Sequence, residues 1–594
     1  MVVSNFKKKA KTKVLLKRIA KIPITISILA IIAFLYDYGF EHQPEIKIFL
    51  NSVYSASIFI GIISIAVRYF FKDYRPSLKS SPFDLVLFLF LTFIFLNQQG
   101  YFTNDLPGLL NHRIWLYSAV FLVFIREFSA IRVELRKAFL NPAQLFVLSF
   151  LSLIIFGSFL LLLPKATVDQ ISLIDALFTS TSAVCVTGLA VVDTGSSFTI
   201  FGQIIIALLI QVGGLGIMTF ASYFSYFFKG GSSYENQLAL RDITNAEKIS
   251  EVFSILKKII LLTFLIEAIG AVLIFKTLDI SVIPSVYDRV FFSGFHAISG
   301  FCNAGFSTLQ NSFYEEAYQL NYPLHLIISF LIILGGLGFP IVFNLYKYLK
   351  SKAFTAFLFL LRRKNTITTP RLINVNTRIV LITSLLLTVL GTIAFYILEY
   401  NNTLANHNQI GKVVTAFFGS VTTRTAGFNT VDTGALNLQT VLIVMFLMWV
   451  GASPASTGGG IKTSTFAVAI LNTISIARGR TRLELFNREI PDSSVQRAYA
   501  IILLSIFVIA TSILLISFFD SDKGLLNITF ESISAYATVG LSMGITADLS
   551  SASKLVLIFT MFIGRVSMLT LLIAIYKRVS SEAYRLPTEN ILIN

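Results

Sequence analysis

The chain has 594 residues, 55% of them hydrophobic and only 13% charged, with a mean hydropathy of +0.76. Soluble domains carry about 25% charged residues, so this composition excludes a water-soluble protein and leaves a polytopic membrane protein. The net charge of +17 would suit nucleic acid, but its placement excludes that partner: basic residues gather in alternate loops (7–18, 68–79, 126–137, 347–378, 478–488 and 577–578), whereas Asp37, Glu41, Asp105, Asp175, Asp279, Glu315, Glu316, Asp520 and Asp522 occupy the intervening ones. That alternation follows the positive-inside rule and predicts a multi-pass protein of the inner (cytoplasmic) membrane, with lipid as neighbour and both termini cytoplasmic.

The first 21 residues are basic, but the apolar stretch that follows has no small-residue cleavage site, so it reads as an uncleaved first helix. Apolar runs predict four N-terminal helices near 22–39, 46–71, 83–98 and 113–126, together an extension over 1–140. A voltage sensor needs arginines recurring on one helix face. Arg113, Arg126, Arg132 and Arg136 are irregularly spaced. Lipid-facing or oligomerising helices are expected instead.

From about residue 140 the chain falls into four units, expected over 141–230, 231–352, 353–490 and 491–594. The first is predicted to run helix 145–163, half-helix 175–184, extended return 185–191 and inner helix 198–228. In the second, outer and inner helices are expected at 254–276 and 323–350 around a half-helix at 289–300. The third has 378–400 and 438–475 around 411–423, and the fourth 495–519 and 553–577 around 527–536. Each half-helix is too short to span, so it must turn back, and non-helical backbone at that depth survives only where it lines water or ions.

Every return carries one motif. Ser182-Ala183-Val184-Cys185-Val186-Thr187-Gly188-Leu189 is the first and Ser299-Gly300-Phe301-Cys302-Asn303-Ala304-Gly305-Phe306 the second. Val421-Thr422-Thr423-Arg424-Thr425-Ala426-Gly427-Phe428 and Ser534-Ala535-Tyr536-Ala537-Thr538-Val539-Gly540-Leu541 complete the set. The glycines are 117, 122 and 113 residues apart, each ten residues after a phenylalanine (Phe178, Phe295, Phe417, Phe530). A period that long is no solenoid unit; it suits one pore element repeated four times. A loop that strips water from a cation must present backbone carbonyls at a fixed radius, which demands dihedrals glycine tolerates best. The half-helix ahead of it aims the negative end of its dipole at the ion. The fourth segment is one residue type away from the potassium-channel run Thr-Val-Gly-Tyr. Gly213-Gly214-Leu215-Gly216 and Gly335-Gly336-Leu337-Gly338, on inner helices, read as close helix packing.

The third inner helix contains Gly451-Ala452-Ser453-Pro454-Ala455-Ser456-Thr457-Gly458-Gly459-Gly460-Ile461-Lys462-Thr463. No helix continues through a proline and three glycines. Apolar helix on both sides makes this a broken segment at membrane depth beneath the repeated loops. Arg565, in the last predicted helix, either faces a cavity or snorkels to the inner headgroups. Glu267 is its carboxylate counterpart or makes a helix–helix hydrogen bond. The histidines (42, 112, 296, 325 and 407) share no ligand spacing and predict no metal centre. Cys185 and Cys302 occupy the same repeat position and belong to the repeat rather than to redox chemistry.

These motifs resemble the Trk/Ktr/HKT superfamily of potassium transport proteins. The resemblance rests on 187–194 (TGLAVVDT), 300–308 (GFCNAGFST), 423–432 (TRTAGFNTVD) and 451–463, and covers about 140–580. It implies an all-α polytopic membrane protein, not an enzyme. Four tandem helix–pore loop–helix repeats would surround one pore with pseudo-four-fold symmetry, preceded by the extra N-terminal helices. The implied potassium filter is Val186, Thr187, Gly188 and Leu189; Asn303, Ala304, Gly305 and Phe306; Thr425, Ala426, Gly427 and Phe428; and Thr538, Val539, Gly540 and Leu541. The implied gate is the 451–463 loop, with Gly458, Gly459, Gly460 and Lys462, and Arg565 beneath it. The family also implies a homodimer on a cytosolic nucleotide-binding regulatory ring, with potassium as transported ion and no cofactor. Members with serine at the first filter glycine favour sodium; glycine in all four segments points to potassium. The extension over 1–140 departs from the family, since Ktr membrane subunits lack it and Trk subunits carry about two helices there.

Three rivals remain. A sodium or mixed-cation pathway could use the same fold. A membrane enzyme would need clustered acids or nucleophiles at membrane depth, which the sequence does not offer. An alternating-access carrier is disfavoured because the repeats all run in one orientation.

Overall fold

The computed structural model describes residues 22–40, 43–70, 81–99, 113–130, 142–216, 252–360 and 373–576. The expected cytoplasmic termini, the stretch 217–228, Arg132, Arg136, His42 and His112 lie outside these residues.

Four helices form an N-terminal bundle: α1 (Ile22–Gly39), α2 (Pro44–Phe70), α3 (Ser81–Gln98) and α4 (Arg113–Ala130). Leu50, Tyr54, Ile58, Leu91, Ala119 and Val120 fill its core, while Leu85, Val86 and Leu89 face outward. The sequence reading missed a polar cluster at each end. At one end Tyr54 and Tyr117 donate to Asp37 at 3.0 and 2.9 Å. At the other, Arg126 makes a two-pronged ion pair with Asp84, 2.5 and 2.8 Å, beside an Arg68–Glu127 pair. Arg126, counted by its sequence with the basic 126–137 loop, is thus a buried residue of α4. The bundle meets the repeats at the end of α1, where Lys165 N donates to Gly39 O at 3.2 Å and Tyr38 packs on Phe201.

The remainder is four units of outer helix, half-helix and inner helix. The outer helices are α5 (Pro142–Leu161), α8 (Val252–Thr277), α12 (Val375–Glu399) and α16 (Asp492–Phe519). The half-helices are α6 (Leu173–Cys185), α9 (Val286–Cys302), α13 (Gln409–Thr422) and α17 (Leu525–Ala537). At 13, 17, 14 and 13 residues they reach about 20–25 Å, short of the roughly 30 Å hydrocarbon core. Ser172, Ser285 and Asn408 cap three of them by accepting from the backbone N–H three residues on.

Among the described residues the second and fourth inner helices are broken as well as the third. The first, α7 (Ile200–Leu215), ends at Gly216, φ +81°. The second divides into α10 (Tyr322–Gly336) and α11 (Phe339–Leu360), bent by 103° at Gly338. The third is α14 (Leu438–Trp449), the 450–462 loop and α15 (Thr463–Ala477). The fourth, α18 (Ser551–Val566) and α19 (Met568–Ile575), bends by 87° at Ser567, φ +75°. The continuous helices expected at 323–350 and 553–577 are therefore corrected: one left-handed residue turns the chain sharply aside where hydropathy alone reads straight through.

Candidate functional site

The four returning segments form a closed ring. Gly188, Gly305, Gly427 and Gly540 all have positive φ, from +71° to +94°. A Cβ on Gly188 would lie 2.3 Å from Ala304 O, one on Gly305 2.5 Å from Ala426 O, and one on Gly427 2.3 Å from Val539 O. A Cβ on Gly540 would lie 2.2 Å from Thr187 O, returning to the first segment. Each glycine thus abuts the carbonyl preceding the next repeat's glycine, in the cyclic order one, two, three, four. Val186, Asn303, Thr425 and Thr538, two residues earlier, are also left-handed, with φ between +50° and +70°. A non-glycine left-handed residue at the first place of each segment, two residues before a left-handed glycine, is a strained arrangement typical of functional loops.

Side chains behind the ring hold it. Leu189, Phe306, Phe428 and Leu541 are buried, as are Phe178, Phe295 and Phe530. In the third repeat the fully buried ring is Phe418 rather than Phe417. Sequence reading missed the hydroxyl braces. Gly188 N and Gly540 N donate to Ser182 and Ser534, both at 3.1 Å. Ser299 donates to Phe306 O at 2.7 Å, and Thr422 to Phe428 O at 2.6 Å. The available signal was a serine six residues before the glycine in three repeats.

The two glycine runs divide their labour. Gly213 and Gly335, like Gly564 of the fourth repeat, let the inner helix touch the half-helix end: a Cβ there would meet Val184 O, Phe301 O or Tyr536 O at 2.1, 1.9 and 1.9 Å. That agrees with the packing expectation. Gly338, the last of the second run, instead forms the break between α10 and α11, and Gly216, at φ +81°, follows the last residue of α7.

The 450–462 loop lies against the inner side of the ring. A Cβ on Gly458 would strike the Thr425 hydroxyl at 2.0 Å, and one on Gly459 the Thr538 hydroxyl at 2.2 Å. Lys462 folds back to donate to Gly458 O and, at 3.4 Å, Gly459 O. Ser453 N and Thr457 N donate to Gly336 O and Gly335 O at 3.0 and 3.4 Å, pinning the loop to the second repeat's break. Arg565 donates to Thr457 O and, at 2.7 Å, to Gly213 O. Its guanidinium is therefore interior rather than snorkelled to headgroups. Glu267 accepts from Gln211 at 3.0 and 3.2 Å, which settles it as a helix–helix hydrogen bond rather than the partner of Arg565. Among the described residues no group of histidines, cysteines and carboxylates could hold a metal ion.

Four re-entrant half-helices, with their returns closed into one ring above the broken second, third and fourth inner helices, define a single-chain membrane transport protein rather than an enzyme. The family model TrkH, described as "Cation transport protein", matches residues 121–586. The chain belongs to that family. It is 36% identical over 446 residues to the "Ktr system potassium uptake protein B" of Bacillus subtilis, spanning 74% of this chain and 94% of that relative. It is 35% identical over 464 residues to the "Potassium/sodium uptake protein NtpJ" of Enterococcus hirae, spanning 76% and 97%. In fold it is similar to the crystal structure of the potassium transporter TrkH from Vibrio parahaemolyticus, with a TM-score of 0.58 over 93% of this chain and 98% of the other at 16% identity. That likeness reaches into the N-terminal bundle, most of which the family model leaves out.

Proposed function

We propose that the chain is the ion-conducting subunit of a potassium uptake system, and that 186–189, 303–306, 425–428 and 538–541 are its selectivity filter. The closed ring of glycine-to-carbonyl approaches carries this reading. Rings of backbone oxygens replace the hydration shell of a potassium ion without adding net charge. Three half-helices end in left-handed caps at Val186, Asn303 and Thr538, directing their negative dipole ends toward the same centre. The buried Thr538 hydroxyl has no protein partner among the described residues and supplies a further oxygen at the inner end.

The 451–463 loop, with Gly458, Gly459, Gly460 and Lys462, is the gate in this reading, and Arg565 is both a fixed positive charge and a tether beneath it. The sodium or mixed-cation alternative draws support from the potassium/sodium name of one relative. The placement of the basic loops supports a cytoplasmic membrane location with both termini inside, and the resemblance of the repeated motifs supports a homodimer on a cytosolic nucleotide-binding ring, each subunit carrying its own pore. The unit boundaries at 141–230, 231–352, 353–490 and 491–594 belong to the same proposal. Purified protein in liposomes, challenged with potassium and then sodium gradients, tests it: faster potassium flux supports the reading, and equal or faster sodium flux replaces it with the alternative.

A further inference from the structure

The ring is repetitive, but its outer mouth is not. Nine residues before the glycines the half-helices carry Thr179, His296, Phe418 and Glu531. Among the described residues only the second and fourth of these hydrogen-bond to the segment beyond their own glycine, while Phe418 packs on Phe313. Glu531, fully buried, accepts from the Ser542 hydroxyl, from Met543 N at 3.2 Å and from the Thr546 hydroxyl at 3.1 Å. His296, also fully buried, has Nδ1 2.8 Å from Phe292 O, which leaves Nε2 to accept from the Ser307 hydroxyl at 2.9 Å. Ser307 and Ser542 are equivalent, each two residues past its glycine.

The first and third repeats lean on these two posts. The Thr433 hydroxyl donates to Ser542 O, and Gly195 sits so close to Thr308 O that a Cβ would lie 2.3 Å away. In the cyclic order of the ring, the second and fourth repeats are diagonally opposed. The second and fourth corners of the mouth are therefore anchored from their own half-helices, whereas the first and third are tied further out, through Gln203 to Thr194 O and Phe198 O, both at 3.1 Å, and through Asn402 to Ala435 O at 2.8 Å, and also touch their neighbours.

We propose that Glu531 and His296 are positioning residues that hold the outer carbonyls of the filter, and so set how strongly potassium is preferred over sodium. This rests on the filter reading above. Glu531 carries the larger share, because it joins three donors from a five-residue stretch to one rigid helix, whereas His296 joins one. Losing the carboxylate would strand donors in a buried place, and the mouth would relax to satisfy them.

The test compares potassium and sodium flux in liposomes at equal amounts of folded protein, for the parent, Gly188→Ser, Glu531→Gln and a Ser542→Ala, Thr546→Val double variant. The double variant removes two donors while leaving the buried carboxylate, which keeps the test decisive if Glu531→Gln fails to fold. The potassium-to-sodium ratio is expected to fall roughly tenfold in Glu531→Gln, equivalent to about 1.4 kcal/mol of discrimination, and in the same direction in the double variant. A purely structural role would lower both fluxes together and leave the ratio at the parent value. If Gly188→Ser loses selectivity while Glu531→Gln and the double variant keep it, this proposal is overturned and the filter reading stands. If Gly188→Ser also keeps it, both fall.

Discussion

Arg565 of the fourth repeat donates a hydrogen bond to the carbonyl of Thr457, in the broken segment of the third. Thr457 also lends its hydroxyl to the end of the second half-helix, 3.4 Å from Phe301 O, while the other arm of Arg565 reaches Gly213 O in the first repeat. Two side chains thus connect all four units directly beneath the ring.

Removing the charge while keeping the length separates the roles of Arg565. A fixed positive charge at contact range opposes a cation by about 1–4 kcal/mol, depending on the effective dielectric. About 1.4 kcal/mol slows passage tenfold. Arg565→Gln also loosens the tether to Thr457, so flux should rise roughly tenfold with the cation ratio unchanged. Equal flux from equal amounts of folded protein would remove Arg565 from the barrier, and a fall would make it a strut.

Shortening the loop tests the gate more directly. Deleting 458–462 removes the glycines that lie against the Thr425 and Thr538 hydroxyls. Potassium and sodium flux should both increase, with their ratio preserved because the ring itself is intact. A folded deletion that conducts no faster than the parent would assign the loop to packing.

Gly188→Ser places a Cβ 2.3 Å from the Ala304 carbonyl at φ +90°, where L side chains are strained. Neither the clash nor the strain can be relieved without moving ring backbone. Potassium preference should be lost while the protein still inserts into membranes, as judged by cation ratios and by protein recovered in the membrane fraction. An unchanged ratio would reject the filter assignment.

Asp84→Asn breaks the buried pair with Arg126, whose partners are 1% and 3% exposed. Leaving one member of such a pair uncompensated costs about 3–5 kcal/mol. The N-terminal bundle should unfold at lower temperature in detergent, while potassium preference in liposomes stays at the parent value. A parallel loss of selectivity would show that the bundle supports the ring.

Much of this arrangement was legible because the repeats preserve what the backbone needs. Glycine at positive φ, an apolar residue after it and a phenylalanine before it recur at fixed spacing and mark Gly188, Gly305, Gly427 and Gly540. The breaks at Gly338 and Ser567 were not legible. One left-handed residue inside an apolar run leaves hydropathy unchanged, and serine is not a residue from which that conformation is expected. The partners of Arg126 and Glu267 were hidden for another reason. A charged residue within an apolar helix announces that it needs a partner, but Asp84 and Gln211 stand 42 and 56 residues away in sequence. Glu531 escaped notice because its position is polar in some repeats and aromatic in another.

A ring assembled from four identical chains must accept every substitution four times over. Here the cycle closes within one polypeptide, and each wall can drift alone. Immediately before the first left-handed residue of each segment stand Cys185, Cys302, Arg424 and Ala537, and only the third wall carries a positive charge there. Arg424 bonds to Ser384 O and to the Ser384 hydroxyl, both at 3.0 Å, on its own outer helix. If the ring is the filter proposed above, selection can therefore adjust ion preference one quarter at a time, keeping three walls as a template while the fourth is altered.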